Sequence, residues 1–410
     1  MQKLNPLILL LLLLTWQNSV AQIPGCTDPL ATNYNNGATL NDGSCVYTTV
    51  YVTPATTVIL DPVVSETSGL IAWNNHLLTI NDDADTYLHE LDTLTGAITN
   101  GYFLPNVNNY DWEEISQDSL YIYVGDFGNN TSGNRTDMHV LRVLKSTLTS
   151  GAPQIDTIYF SYADQTDFTA VSGNQTDFDC ESMIVTEDSI FLFQKQWVSH
   201  QTKLYGFPNI PGTYSAPPLG TCTVNGMITG ATYLKEKRLV VLCGYTTSIS
   251  PFFFLLYDYP GHNFFGGNKR KIGVSLSFEQ TEGVATVDGL KYYMSNERFD
   301  HSPIYNSEAL YTFDLSSYLS NYISGLTLSS TGIDQATRIN IFPNPFTEQF
   351  NVRFDRMEQG NDFRIFDING KEVFFSDSKD LNQVINGKNW SAGTYFVKTP
   401  DGSKLKIIKN

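Results

Sequence analysis

Asp111-Trp112-Glu113-Glu114-Ile115-Ser116 is the stretch on which the fold turns, because its outline returns along the chain. Residues 68–73 (SGLIAW), 113–118 (EEISQD), 181–188 (ESMIVTED), 229–237 (TGATYLKEK) and 282–289 (EGVATVDG) align on a Glu/Ser-small-apolar step. A β-branched or aromatic run follows each step: residues 76–82, 119–127, 189–197, 238–245 and 291–297. A second follows at 86–92, 137–143, 202–208, 252–260 and 309–315. A further extended run leads into each unit, at 58–63, 101–106, 156–162, 213–224 and 271–278. Such runs, bounded by turn residues, read as strands. Four strands repeating every few tens of residues predict an all-β fold, a β-propeller of five or six blades over residues 49–316. The sixth blade would lie in the long interval 140–180. Two β-sandwich domains are the alternative, but they account poorly for the recurring step.

The rest of the chain divides around this tract. Residues 1–21 read as a signal peptide, with Lys3, the apolar run from Leu7 to Leu14, and Ser19-Val20-Ala21 before a start at Gln22. No later apolar run is long enough to span a bilayer. Residues 22–48 are rich in Asx and Gly, with Cys26 and Cys45 placed to staple a module that has little core of its own. Asp28, Asn33, Asn35, Asn41 and Asp42 offer oxygens there that could hold Ca²⁺, or could simply make turns. Residues 317–337 are Ser/Thr/Gly-rich and read as a linker. From 338 to 410, period-two strands and an Asn369-Gly370 hairpin turn predict a small immunoglobulin-like β-sandwich.

Charge and cysteines narrow the setting. A formal charge of −17 argues against nucleic acid as a partner, since phosphates require basic patches. Five cysteines in an exported chain suit an oxidising compartment. Cys222 and Cys243 flank a predicted hairpin, where a pair or two buried thiols are both open, and Cys180 is the odd residue. No phosphate loop, zincin helix or nucleophile elbow is present, and the six histidines are scattered.

The step itself carries the chemistry. In a propeller the first strand of each blade lines the channel, so Glu66, Glu113 or Glu114, Asp179 or Glu181, and Glu282 would converge at one mouth. Converging carboxylates repel unless protons or a cation neutralise them. Ca²⁺ or Mg²⁺ is therefore the expected cofactor, held by Glu113, Glu181, Glu282, Asp179 and Asp126. Three roles stand for these acids: docking of blades, cation binding without catalysis, or an enzymatic metal site. Whether the chain is an enzyme stays open, and a binding propeller for a glycan, peptide or surface protein is preferred.

Three resemblances add to this. Residues 26–47 resemble a short module of exported bacterial proteins that has no activity to carry over. Ile341-Phe342-Pro343-Asn344-Pro345, the run from Phe363 to Lys371 with Gly370, Gly393-Thr394-Tyr395-Phe396-Val397 and the basic tail with Lys406 and Lys409 resemble the C-terminal sorting domain of type IX secretion cargo. That implies Sec export, passage through the outer membrane by the type IX machinery, and a surface-bound or released product. The central tract is similar, through SETSGL, DWEEIS and TEGVA, to calcium-dependent lactonase and phytase-like propellers. By that resemblance Glu113, Glu181 and Glu282 would bind a metal that polarises an ester, lactone or phosphoester. Thr229 and Ser68 depart from the acidic pattern, and no catalytic base matches.

Overall fold

Five sheets of four or five strands follow one another along the first unit of the chain. A computed structural model describes residues 22–83, 85–329, 339–354, 363–368, 370–377, 380, 382–398 and 404–409. The signal-peptide reading of 1–21 lies outside them, as do Asn369 of the hairpin turn, residues 330–337 of the linker and Arg338 at the start of the sandwich.

Sheet A holds Thr67–Trp73, His76–Asn81, Tyr87–Leu91 and Ile98–Phe103 in that spatial order. Sheet B holds Trp112–Gln117, Tyr121–Asp126, His139–Leu144 and Ile155–Tyr162, with Gly212–Ala216 added in parallel at its edge. Sheet C is built from Asp179–Val185, Ser189–Lys195, Gln201–Pro208 and Pro218–Thr223. Sheet D comprises Met227–Leu234, Leu239–Tyr245, Pro251–Tyr257 and Asn268–Val274, edged by Tyr51–Val52. Sheet E has Thr281–Thr286, Lys291–Asn296 and Ala309–Asp314, and its fourth strand is Thr56–Ile59 from the start of the unit. Each run that leads into a step thus supplies the fourth strand of the sheet before it, and the run 213–224 splits, its first half edging sheet B and its second half completing sheet C. The interval 140–180 supplies the third and fourth strands of sheet B, followed by coil, and adds no further sheet among the described residues.

The sheets stand together through their first strands and their apolar faces. The first strand of A packs against that of B, B against C, C against D, D against E, and E back against A. One apolar cluster fills each junction. Ile71, Leu78, Trp112 and Val124 lie between A and B, and Phe160, Met183, Leu192 and Tyr205 between B and C. Ile184, Phe193, Ile228 and Phe254 serve C and D, and Val241, Val284, Met294 and Phe313 serve D and E. Leu70, Leu77, Ala285 and Leu310 complete the cycle between E and A. Burying each of these side chains contributes roughly 1.5–3 kcal/mol, so no sheet needs a second layer of its own.

Two segments read differently from their composition. The linker region begins with an α-helix, Ser316–Ser329. Leu319 is buried against the D/E cluster with Tyr318, Tyr322 and Ile323 beside it, and Tyr322 Oη donates to Lys237 O at 2.8 Å. Helical spacing of these four residues, not the Ser/Thr content, decides the structure. The Cys26–Cys45 disulfide forms, and Cys180, Cys222 and Cys243 are free and buried. The stapled module sits on sheet D, where the Asp28 carboxylate takes hydrogen bonds from both Tyr47 Oη (2.8 Å) and Tyr257 Oη.

In the second unit, Ile339–Phe342, Gln349–Phe354 and Asn382–Asn386 form one sheet. Glu372–Ser376, Phe363–Asp367, Gly393–Lys398 and Lys404–Lys409 form another. Phe350, Val352 and Ile385 of the first share a core with Ile365, Tyr395, Val397 and Ile407 of the second. Asn344, between Pro343 and Pro345, donates to Lys406 O (3.0 Å) and accepts from Ile408 N (2.8 Å), tying the turn to the last strand.

Candidate functional site: an acidic cavity

A β-bulge recurs at one place in the first strand of every sheet. Pairing shifts between Ser68 and Ile71, around Glu113, between Cys180 and Met183, between Ile228 and Gly230, and between Thr281 and Gly283. A bulge opposes two residues to one and re-aims a side chain out of the regular alternation. The sequence step is this bulge. Ser68, Glu113, Glu181 and Glu282 accordingly line one cavity of about 690 Å³, with Asp82, Asp111, Lys195, Trp197, Tyr245 and Glu297. Thr229 turns instead to donate to Thr281 O.

The residue after each step is Gly69, Glu114, Ser182, Gly230 or Gly283, and the one large member fills the space the small ones leave. A Cβ on Gly69, which also has φ +63°, would lie 2.5 Å from Glu114 Oε1. Glu114 is fully buried, and its carboxylate accepts from Ile115 N (3.0 Å) and Ala231 N (2.7 Å). The amides of Met183 and Leu70 bond to it as well. Burial pushes its pKa well up, while these four donors pull the other way; the donors match an ionised carboxylate. Glu114 therefore joins the first strands of four sheets. Trp112 lies wholly in the A/B cluster, so three consecutive residues face core, cavity and axis.

Lys195, 3% exposed, is the cavity's one ammonium. It meets Glu181 Oε2 at 2.5 Å and lies 4.6 Å and 5.1 Å from the ring centres of Trp197 and Tyr245. Burial opposes its charge, but Glu181, Tyr245, Glu282 and Asp179 outweigh that and hold its pKa well above the ordinary lysine value. Six carboxylates of the lining face it. Burial raises all six: Asp111 to about 6 and Asp82 to about 7. Glu181 and Glu297 rise to about 8 despite the opposing Lys195 charge, and Glu113 and Glu282 rise well above the usual range.

The expected ligand set divides in two. Glu113, Asp179 and Glu181 do gather, with one oxygen from each within 4.8 Å of the others. Yet Asp179 accepts from Asn129 N and Trp197 Nε1, both at 2.7 Å, and Glu181 is held by Lys195. The protein's own donors satisfy two of the three, which fits a resident metal poorly. Asp126 is fully buried against Arg135 (2.7 Å) and takes Tyr110 N (3.0 Å), so it is spent on loop structure. Glu282 keeps Oε2 buried without a hydrogen-bond partner. Oxygens of a second set, Glu66, Asp82 and Glu297, also lie within 4.8 Å of one another; the Gln280 amide donates to Glu297, and Lys195 and Arg298 act on this set without forming an ion pair with it among the described residues. In the stapled module, Asn33 accepts from Val46 N, Asn35 from Gly37 N, Asn41 from Gly43 N and Asp42 from Ser44 N. The oxygens of Asn35, Asn41 and Asp42 make Asx turns, and that of Asn33 ties the two ends of the module together.

Lys195, Trp197 and Tyr245 escape the sequence reading, although a signal exists. The second strands end at the equivalent positions Asn81, Asp126, Lys195, Tyr245 and Asn296, each paired with the residue just before its bulge region. Five polar strand ends in register mark the rim.

The family model for the secretion system C-terminal sorting domain matches residues 340–410. This marks type IX cargo, and with it secretion or a place at the cell surface. No helix among the described residues is long and apolar enough to cross a membrane. No curated protein matches the chain in sequence. Among solved structures, PorZ, a surface component of the type IX secretion system of Porphyromonas gingivalis, is 14% identical at a TM-score of 0.30, with 84% of this chain and 45% of that one covered. A mitotic checkpoint complex chain is 8% identical at a TM-score of 0.32, with 66% and 97% covered. The chain thus spans less than half the length of PorZ. At these scores neither likeness bears on function.

Proposed function

We propose that this is an exported binding protein, led out by a signal peptide over residues 1–21 and delivered by its C-terminal sorting sandwich. Its first unit is a five-bladed β-propeller that takes a positively charged, or cation-bridged, ligand into the axial cavity. The observation that carries this reading is six carboxylates against one ammonium in a lined space of about 690 Å³. That volume falls within the range of small-ligand sites, roughly 300–1,000 Å³. Trp197, Tyr245 and Phe299 in the wall supply aromatic faces suited to an ammonium or guanidinium group. A lysine- or arginine-bearing peptide of a surface protein meets these terms better than a neutral glycan.

Calorimetric titration of the full chain with a lysine-rich peptide, spermidine and a neutral oligosaccharide tests this. The cationic probes should saturate, and Glu282→Gln and Trp197→Ala should each weaken them by about tenfold. Equal binding of the neutral sugar, or cationic binding indifferent to both substitutions, would refute it.

A further inference from the structure

We infer that the mouth of the cavity is a divalent-cation site built from Glu66, Asp82 and Glu297, with Glu282 as a further oxygen donor, and that the ion is calcium or one of like hardness. The inference rests on the cavity being the ligand site, and it names a different donor set from the Glu113, Asp179 and Glu181 group.

Three observations lead there. First, oxygens of Glu66, Asp82 and Glu297 come within 4.8 Å of one another. Their backbone is fixed by cross-ties: Asp82 N donates to Glu66 O (3.0 Å), Glu297 N to Gln280 O (3.1 Å) and Arg298 N to Ser65 O (2.7 Å). Three acids held this close by separate segments repel unless something positive stands among them. Second, the positive groups nearby are committed elsewhere. Lys195 is paired with Glu181, and the Arg298 guanidinium makes two 2.8 Å bonds to Glu308. Third, the same cavity wall contains carboxylate oxygens with no donor. Glu282 is only 4% exposed, and its Oε2 has no partner; Asp82 Oδ1 is likewise buried and unpartnered. A buried carboxylate oxygen with nothing to accept from costs several kcal/mol unless an ion meets it.

All the donors are carboxylate oxygens, the set that suits a hard cation and not a thiophilic metal. The site also has a place in the fold. Glu66 and Asp82 flank strands of sheet A, whereas Glu282 lies in a strand of sheet E and Glu297 flanks one. An ion here ties the first sheet to the last, where the cycle closes.

The test is calcium titration of the full chain after chelator treatment, read by calorimetry and by thermal melting. One Ca²⁺ per chain should bind with a dissociation constant of about 10⁻⁴–10⁻³ M, as extracellular modules do. Asp82→Asn and Glu297→Gln should each weaken it about tenfold or more, while Glu113→Gln stays within about threefold. Half-exposed Glu66→Gln is the variant least able to disturb folding, and it should weaken binding too. Loss on Glu113→Gln with Asp82→Asn unaffected would place the ion in the inner set and overturn the inference. So would the lack of saturable uptake at several times that concentration. Peptide binding measured in chelator separates the two readings: peptide uptake without calcium uptake sinks the ion site alone, and failure of both sinks the cavity reading with it.

Discussion

Replacing Glu114 and replacing Glu113 should move stability in opposite directions. Glu114→Ala removes the acceptor of four buried amides from four sheets, and each buried N–H left unmet costs about 1–3 kcal/mol. We expect a loss of about 3 kcal/mol or more by urea denaturation. Glu113→Gln removes a carboxyl whose ionisation is opposed by burial and by Glu181, Asp111 and Asp179. It should raise stability by about 1 kcal/mol at pH 8, and an equal loss in both variants would refute the division of roles. Lys195→Met exposes the same field from the other side. It leaves Glu181, Glu282 and Asp179 without their cation, for an expected cost of about 3–5 kcal/mol at about pH 9, where Glu181 is ionised. The cost should shrink towards about pH 6, where Glu181 and Glu282 hold protons. At this scale the step was legible because its residues recur, so Glu113 and Glu181 could be set in register. Lys195 was not, since one lysine ending an apolar run looks like a solvated strand end until the partner strands bring Glu181 to it.

Elements are governed by which neighbour a strand finds, and that is where composition says least. The run 156–162 is as extended as a strand leading into sheet C should be, yet it bonds to His139–Leu144 in sheet B. Hydrogen bonds between strands carry no local mark, so a run's existence is legible while its owner is not. The same holds for Thr56–Ile59, which pairs with Ala309–Asp314 some 250 residues onward. Thr312 and Thr56 share a 2.6 Å hydroxyl bond across that junction. Helix Ser316–Ser329 was hidden by serine and threonine, although Leu319, Tyr322 and Ile323 have helical spacing. Leu319→Ala should cost about 2–4 kcal/mol, because that side chain is fully buried, and it should leave ligand binding intact. The staple makes a second test. Cys26 and Cys45 are 19 residues apart, and closing a loop of that size stabilises by roughly 3 kcal/mol. Reductant should lower the melting temperature of the full chain, and it should do so little in a Cys26→Ser/Cys45→Ser variant.

On the scale of the whole molecule, surplus negative charge and export belong together, for an acidic chain stays soluble outside the cell while its sorting unit supplies the basic strand Lys404–Lys409. Deleting residues 338–410 should hold the protein in the periplasm, as seen by fractionation, and normal export would contradict the sorting assignment. The surplus also fixes how stability depends on pH. Asp111, Asp82, Glu181 and Glu297 have folded pKa values raised to about 6, 7, 8 and 8, against about 4 in the unfolded chain. A raised carboxyl favours the folded state below its unfolded pKa, and that contribution fades as pH climbs through the folded value. Surface acids with lowered pKa, such as Asp137 and Asp164, work the other way and lose their contribution below about pH 4. Melting temperature in chelator should therefore be highest at about pH 5–6 and fall steadily towards pH 8. Calcium competes with those protons, so its stabilising shift should be small at pH 6 and large at pH 8. A flat profile in chelator would mean that the cavity acids are not held against their charge. A calcium shift larger at pH 6 than at pH 8 would mean that the ion binds somewhere other than among them.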